Sequence, residues 1–221
     1  MSEFFTAVVT AIGQTSSIEW LIFVLALIYL VLATIENVWC WLFGILASAF
    51  SVYLCYQGNL FLESGLQVFY VLIGIYGWYG WLHGAKTPPA FSVNDKTDVL
   101  STDASALKIV SWSFLKNSYL IFIGCILWIP FGYIAHRYST QALPYLDAFI
   151  TAFSIVATWM TAKKILQNWT YWIIIDALAI LLYASRGFYL IALLYAIYTL
   201  LAIIGYFQWK KRIQVSSALH L

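Results

Sequence analysis

The sequence predicts an all-α integral membrane protein with seven transmembrane helices, organised as two parallel three-helix repeats joined by a linker helix. Of its 221 residues, 63% are hydrophobic and 9% are charged, whereas charged residues make up about 25% of a soluble globular domain. Seven apolar segments approach the roughly 20 residues that a helix needs to cross the hydrocarbon layer. A pattern of polar and aromatic residues also recurs in both halves of the chain. Together these features predict a duplicated helical bundle in a membrane.

Each predicted span is an apolar run bounded by polar or turn-forming residues. In chain order, the spans are placed at 18–35, 38–57, 64–83, 117–135, 144–162, 169–185 and 188–208. The first repeat then covers 18–83, the linker span 117–135 and the second repeat 144–209. A polar connection is expected at 84–116, an interfacial segment at 1–17 and a polar tail at 210–221. Residues 1–17 lack both a basic start and a small-residue cleavage site, so we do not interpret them as a signal peptide.

The duplication is visible as two Asn–Trp pairs and two Tyr–Gly–Trp series. The pairs are Asn37 with Trp41 in the first half of the chain and Asn168 with Trp172 in the second half. The series are Tyr70, Gly77, Trp81 and Tyr198, Gly205, Trp209. Equal internal spacings in both copies predict a repeated helical unit. In the register of the Asn–Trp pairs, Asp176 falls opposite Ile45 and beside Gly44.

The relative orientation of the repeats follows from the number of spans between them. A single linker crossing returns the chain to the side from which the first repeat started, so both repeats cross the membrane in the same direction. Parallel repeats are related by a pseudo-axis along the membrane normal. Matching residues from the two copies are therefore expected to approach each other around a central path.

Basic residues predict which side faces the cytoplasm, because cytoplasmic loops retain Lys and Arg. Alternate connections place nine on one side: Lys86, Lys96, Lys108, Lys116, Lys163, Lys164, Lys210, Lys211 and Arg212. The other side carries Arg137 and Arg186. We therefore expect the N-terminus outside, the C-terminus inside and the 84–116 connection in the cytoplasm.

Two polar stripes are predicted on helix faces of the first repeat. In the second span, steps of three and four connect Asn37, Trp41, Gly44, Ser48 and Ser51. In the third span, a comparable stripe contains Gln67, Tyr70, Gly74, Gly77, Trp78 and Trp81. Unpartnered polar groups are costly in lipid, so the stripes should face the bundle interior or a wet cavity. The alternative is that Trp and Tyr serve as interfacial anchors and Gly and Ser as packing residues.

Asp176 falls near the middle of the sixth predicted span. Such a group is expensive in the membrane and is a functional candidate by default. It could face a cationic substrate, carry a coupling proton, or form a structural hydrogen bond with a tyrosine such as Tyr183 or Tyr195. The residue types alone leave these roles open.

Other function classes find little support in the sequence. His83, His136 and His220 are too scattered for a metal cluster, and the three cysteines lie in apolar stretches without a CxxC spacing. A converging acid, base and nucleophile is also missing, as is a phosphate-binding loop. Basic stripes that would bind nucleic acid are not found. We expect no metal, no cofactor, no nucleic-acid partner and no enzymatic activity.

Several motifs give the chain a specific family resemblance. They are the segment 36–41 (ENVWCW), followed by Gly44, by 66–70 (LQVFY) and 76–81 (YGWYGW), and the second block from 168–172 (NWTYW) through Trp209. Over roughly residues 18–210 the chain resembles the PnuC family of bacterial vitamin transporters. The resemblance implies a three-one-three helical fold similar to that of the SWEET sugar transporters, and a homo-oligomer, specifically a trimer.

Function and partners are also implied by this resemblance. Similar members carry nicotinamide riboside across the bacterial inner membrane by facilitated diffusion, and a cytoplasmic kinase then traps the substrate for NAD biosynthesis. Trp78, Trp81, Trp169 and Trp172 are expected to supply ring contacts. Asn37, Gln67 and Asn168 are expected to supply hydrogen bonds, with Trp41, Tyr70, Asp176 and Tyr198 completing the substrate-binding set.

Three alternatives remain open at this stage. Related transporters carry thiamine or riboflavin, and an aromatic, amide-rich pocket suits all of these vitamins. Asp176 could instead couple uptake to protons. In a different class, the chain could be a structural or receptor-like membrane subunit whose stripes only pack helices.

Overall fold

The computed structural model confirms the predicted all-α fold. It describes residues 12–13, 15–57, 61–84, 107–138 and 143–218. Within these ranges the helices are α1 (Ser17–Thr34), α2 (Cys40–Gln57), α3 (Phe61–His83), α4 (Phe114–Tyr138), α5 (Pro144–Ala162), α6 (Asn168–Ser185) and α7 (Tyr189–Ala218). Most of the interfacial segment predicted at 1–17, residues 85–106 of the predicted connection and the last three residues of the tail lie outside the described residues.

Every predicted span corresponds to one of these helices. Six of the described helices, all but α3, are long and apolar enough to cross a membrane. Helix α3 has 23 residues, or about 34 Å at 1.5 Å per residue, which is sufficient for the hydrocarbon layer. Its Gly, Tyr and Trp residues lower its hydropathy, and it packs between α2 and α5. The polar character of α3 therefore reflects its place inside the bundle.

The two repeats match each other at one constant offset along the chain, so that Cys40 in the first repeat corresponds to Asn168 in the second. Helices α2 and α6 begin and end at positions related by this offset, and so do the starts of α3 and α7 and the ends of α1 and α5. Helix α1 packs against α7, and its counterpart α5 packs against α3. These equivalent contacts join the repeats about a pseudo-two-fold axis. Among the described helices, the linker α4 packs mainly against α5, and the Tyr171 hydroxyl on α6 donates to its Asn117 carbonyl oxygen at 3.3 Å.

Equivalent turns end the first helix of each repeat. Glu36 and Lys164, which are related by the repeat offset, have positive φ angles of 62° and 52°. After each of them a backbone N–H reaches back five residues, from Asn37 to Leu32 (2.9 Å) and from Ile165 to Met160 (3.0 Å). This is the Schellman ending, in which the left-handed residue is usually Gly. Glu36 and Lys164 are therefore unusual at these positions, and their side chains meet at the site described below.

The structure contradicts the predicted register of the two Asn–Trp pairs. A Cβ atom on Gly77 would collide with the ring of Trp41, and one on Gly205 would collide with the ring of Trp169. Trp41 therefore corresponds to Trp169, not to Trp172. The pairs were matched three residues out of register, which is nearly one helical turn and preserves the helix face. In the correct register Asp176 corresponds to Ser48.

Candidate functional site

A cavity of about 500 Å³ lies between the two repeats. Six helices contribute to its wall, namely α1, α2, α3, α5, α6 and α7. Most of the wall is apolar or aromatic, with hydroxyl, amide and carboxylate groups placed among the rings. Small-molecule sites are of this kind, typically about 300–1,000 Å³ with a few polar groups that orient the ligand. The parallel arrangement of the repeats thus creates a shared central compartment.

Seven of the residues predicted to bind substrate line this cavity: Trp41, Gln67, Tyr70, Trp169, Trp172, Asp176 and Tyr198. Residues from both repeats are present in this set, as expected for stripes that face a common path. Ser48 and Ser51, which belong to the predicted stripe of α2, also line it. The polar stripes therefore do face the interior of the bundle.

The other four predicted residues lie outside the cavity wall: Asn37, Trp78, Trp81 and Asn168. Asn37 accepts a hydrogen bond from the backbone N–H of Trp39 at 3.0 Å. The fully buried Asn168 donates to the carbonyl oxygen of Ile165 at 2.6 Å. Both amides thus stabilise the turns that precede α2 and α6.

The structure adds lining residues that the sequence analysis did not assign. They are Tyr29 on α1, Ser154, Thr158 and Thr161 on α5, and Tyr195 on α7. The α5 residues follow steps of four and three, so a polar stripe was present in the sequence of the fifth span. Its small hydroxyl groups also bond to carbonyl oxygens of their own helix, as Thr158 does to Ser154 at 2.7 Å. Such residues are hard to distinguish from ordinary helix packing.

Four tryptophans, here called the tryptophan cluster, close one end of the cavity: Trp41, Trp81, Trp169 and Trp209. Trp41 meets Trp81 edge to face with ring centroids 5.5 Å apart, and Trp169 meets Trp209 in the same way at 5.4 Å. The second pair is the repeat equivalent of the first. Trp81 and Trp209 approach to 6.0 Å across the repeats. Trp209 also donates from Nε1 to the carbonyl oxygen of Ala33 at 3.1 Å, which ties α7 to α1.

A group of three charges, the ionic cluster, covers the tryptophan cluster on the side away from the cavity. Glu36 accepts hydrogen bonds from Lys164 at 2.5 Å and from Arg212 at 2.6 Å. The ammonium of Lys164 also lies 4.5 Å from the ring centroid of Trp81. Glu36 and Lys164 are the two left-handed residues of the equivalent turns. The left-handed conformation costs roughly 1–2 kcal/mol for each L-residue, and it is found at the two positions whose opposite charges meet across the repeats.

The segment 107–113, which precedes α4, adds a further layer at the same end. The Val110 N–H donates to the carbonyl oxygen of Lys164 at 3.0 Å, and Leu166 donates back to Val110 at 2.8 Å. Leu107 and Ile109 pack against the core that contains the tryptophan cluster. This end, which also carries the last turns of α7, is called the basic end below. It is closed by rings, charges and backbone.

Asp176 is the charged residue of the cavity wall among the described residues. Asp176 is 3% exposed. No described side chain forms an ion pair or a hydrogen bond with its carboxyl group. Tyr195 and Tyr198 are near enough to interact with it electrostatically. Within the described part of the chain, the carboxyl group of Asp176 therefore faces the cavity without a bonded partner.

Comparison with known proteins places the chain in a family. The family model described as nicotinamide mononucleotide transporter matches residues 16–211, which cover all seven spans. The chain belongs to this family. Its predicted resemblance to PnuC is thereby confirmed, and the family is one of transporters.

Individual relatives of the family agree on vitamin transport. The chain is 25% identical over 187 residues to the nicotinamide riboside transporter PnuC of Escherichia coli K12, covering 80% of this chain and 78% of that protein. It is 23% identical over 190 residues to the riboflavin/roseoflavin transporter RibM of Streptomyces davaonensis, covering 86% and 82%. A crystal structure of the vitamin B3 transporter PnuC has the same fold, with a TM-score of 0.68 at 20% identity over 96% of this chain and 88% of that one. The protein is a multi-pass inner-membrane vitamin transporter of the PnuC family.

Proposed function

We propose that the protein takes up nicotinamide riboside across the bacterial inner membrane by facilitated diffusion. The observation that carries this proposal is the cavity between the repeats, which combines aromatic rings with amide, hydroxyl and carboxylate groups. Nicotinamide riboside presents a flat pyridinium ring, a carboxamide and ribose hydroxyls. Trp and Tyr faces attract the cation, and Gln67 and the serine and threonine hydroxyls are able to bond the remaining groups.

The transport cycle follows from the repeat architecture. Rocking one parallel repeat against the other exposes a fixed central site to alternate sides. In the proposed orientation the N-terminus is outside and the basic end is cytoplasmic, in agreement with the excess of Lys and Arg there. The conformation described here is then closed toward the cytoplasm by the tryptophan cluster and the ionic cluster.

Uptake in one direction requires a sink inside the cell, because facilitated diffusion only equalises concentrations. A cytoplasmic kinase that phosphorylates the riboside supplies that sink and delivers the product to NAD biosynthesis.

The proposal also includes a homotrimer of SWEET-like protomers. Moderate affinity suits this cycle, because very tight binding would slow release.

Flux through proteoliposomes tests the proposal directly. Purified full-length protein should give saturable entry of labelled nicotinamide riboside that reaches equal concentrations inside and outside without ATP or an ion gradient. Excess unlabelled riboside should compete more strongly than riboflavin or thiamine. Stronger competition by riboflavin would favour the activity of the RibM relative, and an absence of saturable flux would support a structural or receptor-like subunit.

Replacing Gln67 by Leu should weaken binding of nicotinamide riboside about five- to tenfold, because one cavity hydrogen bond is worth about 1 kcal/mol. Isothermal titration of purified protein measures the change. Gln208→Leu is the matched control, since Gln208 does not line the cavity. Equal affinity of the two variants would remove Gln67 from the site.

A proton-coupled cycle is the second candidate, and it is favoured by the burial of Asp176, which has no cationic partner among the described side chains. In that cycle the carboxyl group would carry the proton. Collapsing a proton gradient across the proteoliposome should then slow uptake at fixed substrate concentration. A uniporter should be indifferent to the same treatment.

A further inference from the structure

The two halves of the cavity differ in charge at one pair of equivalent positions. Asp176 on α6 and Ser48 on α2 are related by the repeat offset, occupy the same place in their repeats, and both line the cavity. One wall therefore carries a carboxylate where the other carries a hydroxyl. A ligand in the cavity meets an anionic side and a neutral side.

We propose that Asp176 is a specificity-determining residue that selects substrates with a cationic heteroaromatic ring over neutral rings of the same shape. The inference rests on the proposed function and deepens it, because it names the substrate class and the end of the substrate that each repeat binds. The positive ring faces α6 and α7, and the sugar faces α2 and α3.

Aromatic groups surround the carboxylate on its own side of the cavity. Trp172 lies one turn before Asp176 on the same face of α6. Tyr195 and Tyr198 reach it from α7. Ring faces and a carboxylate attract the same kind of group, a flat cation. This set is therefore complementary to a pyridinium or a similar ring.

The opposite side also carries rings, from Trp41 and Tyr70, but its hydrogen-bonding groups are neutral. Ser48 and Ser51 on α2 and Gln67 on α3 all line the cavity. Hydroxyl and amide groups both donate and accept, so they pair well with sugar hydroxyls. The difference between the two repeats thus fits a ligand with one charged and one polar end.

Rejection of neutral rings follows from the burial of Asp176. A neutral ligand that fills the cavity displaces water from a carboxylate that is 3% exposed and provides no counter-charge. An ionised carboxylate without a partner is costly in an apolar environment, so beside a neutral ring Asp176 is either left unpaired or takes up a proton. A cationic ring pairs with the ionised form without that cost, so discrimination arises mainly from the penalty on the wrong ligand.

Binding of a charged and an uncharged form of one vitamin tests the inference. Reduced nicotinamide riboside keeps the carboxamide and the ribose, but its ring is neutral. Full-length wild-type protein in lipid nanodiscs should bind the cationic form at least tenfold more tightly than the reduced form, as measured by isothermal titration. Asp176→Asn should bring this ratio near one by weakening the cationic form, with the reduced form bound at least as tightly as before.

Two further variants make the result decisive. Asp176→Glu retains the charge and should keep a preference for the cation. Glu19→Gln removes a carboxylate that caps the exposed start of α1 and should leave the ratio unchanged. Equal binding of both forms by the wild type, or an unchanged ratio in Asp176→Asn, overturns the selectivity role and leaves the proposed function standing. Failure of the wild type to bind either form overturns the proposed function itself.

Discussion

Replacing Gly77 by Ala should destabilise the protein, whereas replacing Gly80 by Ala in the same helix should not. A Cβ atom on Gly77 would overlap the ring of Trp41, while one on Gly80 has no neighbour within 4 Å. Trp41 cannot move aside easily, because it is 2% exposed and meets Trp81 edge to face. Overpacking of this kind costs about 1–3 kcal/mol. The loss should appear as a lower melting temperature.

Thermal unfolding in detergent, followed by loss of the monodisperse peak in size-exclusion chromatography, measures this difference. Gly205→Ala provides an independent second case, since its Cβ would lie 2.7 Å from the ring of Trp169. Both variants at the tryptophan contacts should melt below the wild type, whereas Gly80→Ala should melt at or above it, because Ala favours the helix more than Gly does. Wild-type melting of Gly77→Ala would contradict the close packing of α3 on Trp41.

Replacing Glu36 by Ala should open the basic end. Glu36 holds both Lys164 and Arg212, and the Lys164 side chain is 6% exposed. Removing one partner of a buried ion pair costs about 3–5 kcal/mol, because the remaining charge is left without compensation. The population of the conformation closed at this end should therefore fall at least tenfold relative to the open conformation.

Cys40 reports this opening, because its thiol is free and fully buried beside the tryptophan cluster. In a background with Cys55→Ala and Cys125→Ala, a hydrophilic maleimide should label Cys40 slowly in the wild type and at least tenfold faster in Glu36→Ala. Asp147→Asn is the control, since it breaks the pair with Arg186 at the opposite end. Equal labelling of all three proteins would show that the ionic cluster does not close this end.

Most of the fold could be predicted from the sequence, because the length and number of the apolar segments determine it even where single helix boundaries are misplaced. Hydrocarbon thickness sets the length of every span, and an odd number of crossings between the copies fixes their parallel orientation. The register within the repeat was harder. Trp169 and Trp172 lie three residues apart on one helix face. The common helix boundaries of the repeats and the contact between Trp169 and Gly205 decide that Trp169 is the equivalent of Trp41.

The site was predicted less completely, for two physical reasons. An amide near a helix start either caps the backbone or faces the ligand, and the sequence of Asn37 or Asn168 does not distinguish these roles. Tryptophans such as Trp81 either bind ligand or pack against one another. By contrast, Asp176 could be singled out by its cost in the membrane alone, and the structure places it in the cavity wall.

The contact between Glu36 and Lys164 also constrains the ancestry of the chain. These residues occupy equivalent positions and touch each other, so the pseudo-two-fold axis passes between them. In a symmetric dimer of a single repeat, the residues facing each other across the axis would be identical. Two glutamates or two lysines at this distance would repel, as like charges do. The ion pair therefore requires two halves whose sequences have diverged, and the halves differ at the closed basic end as well as in the cavity.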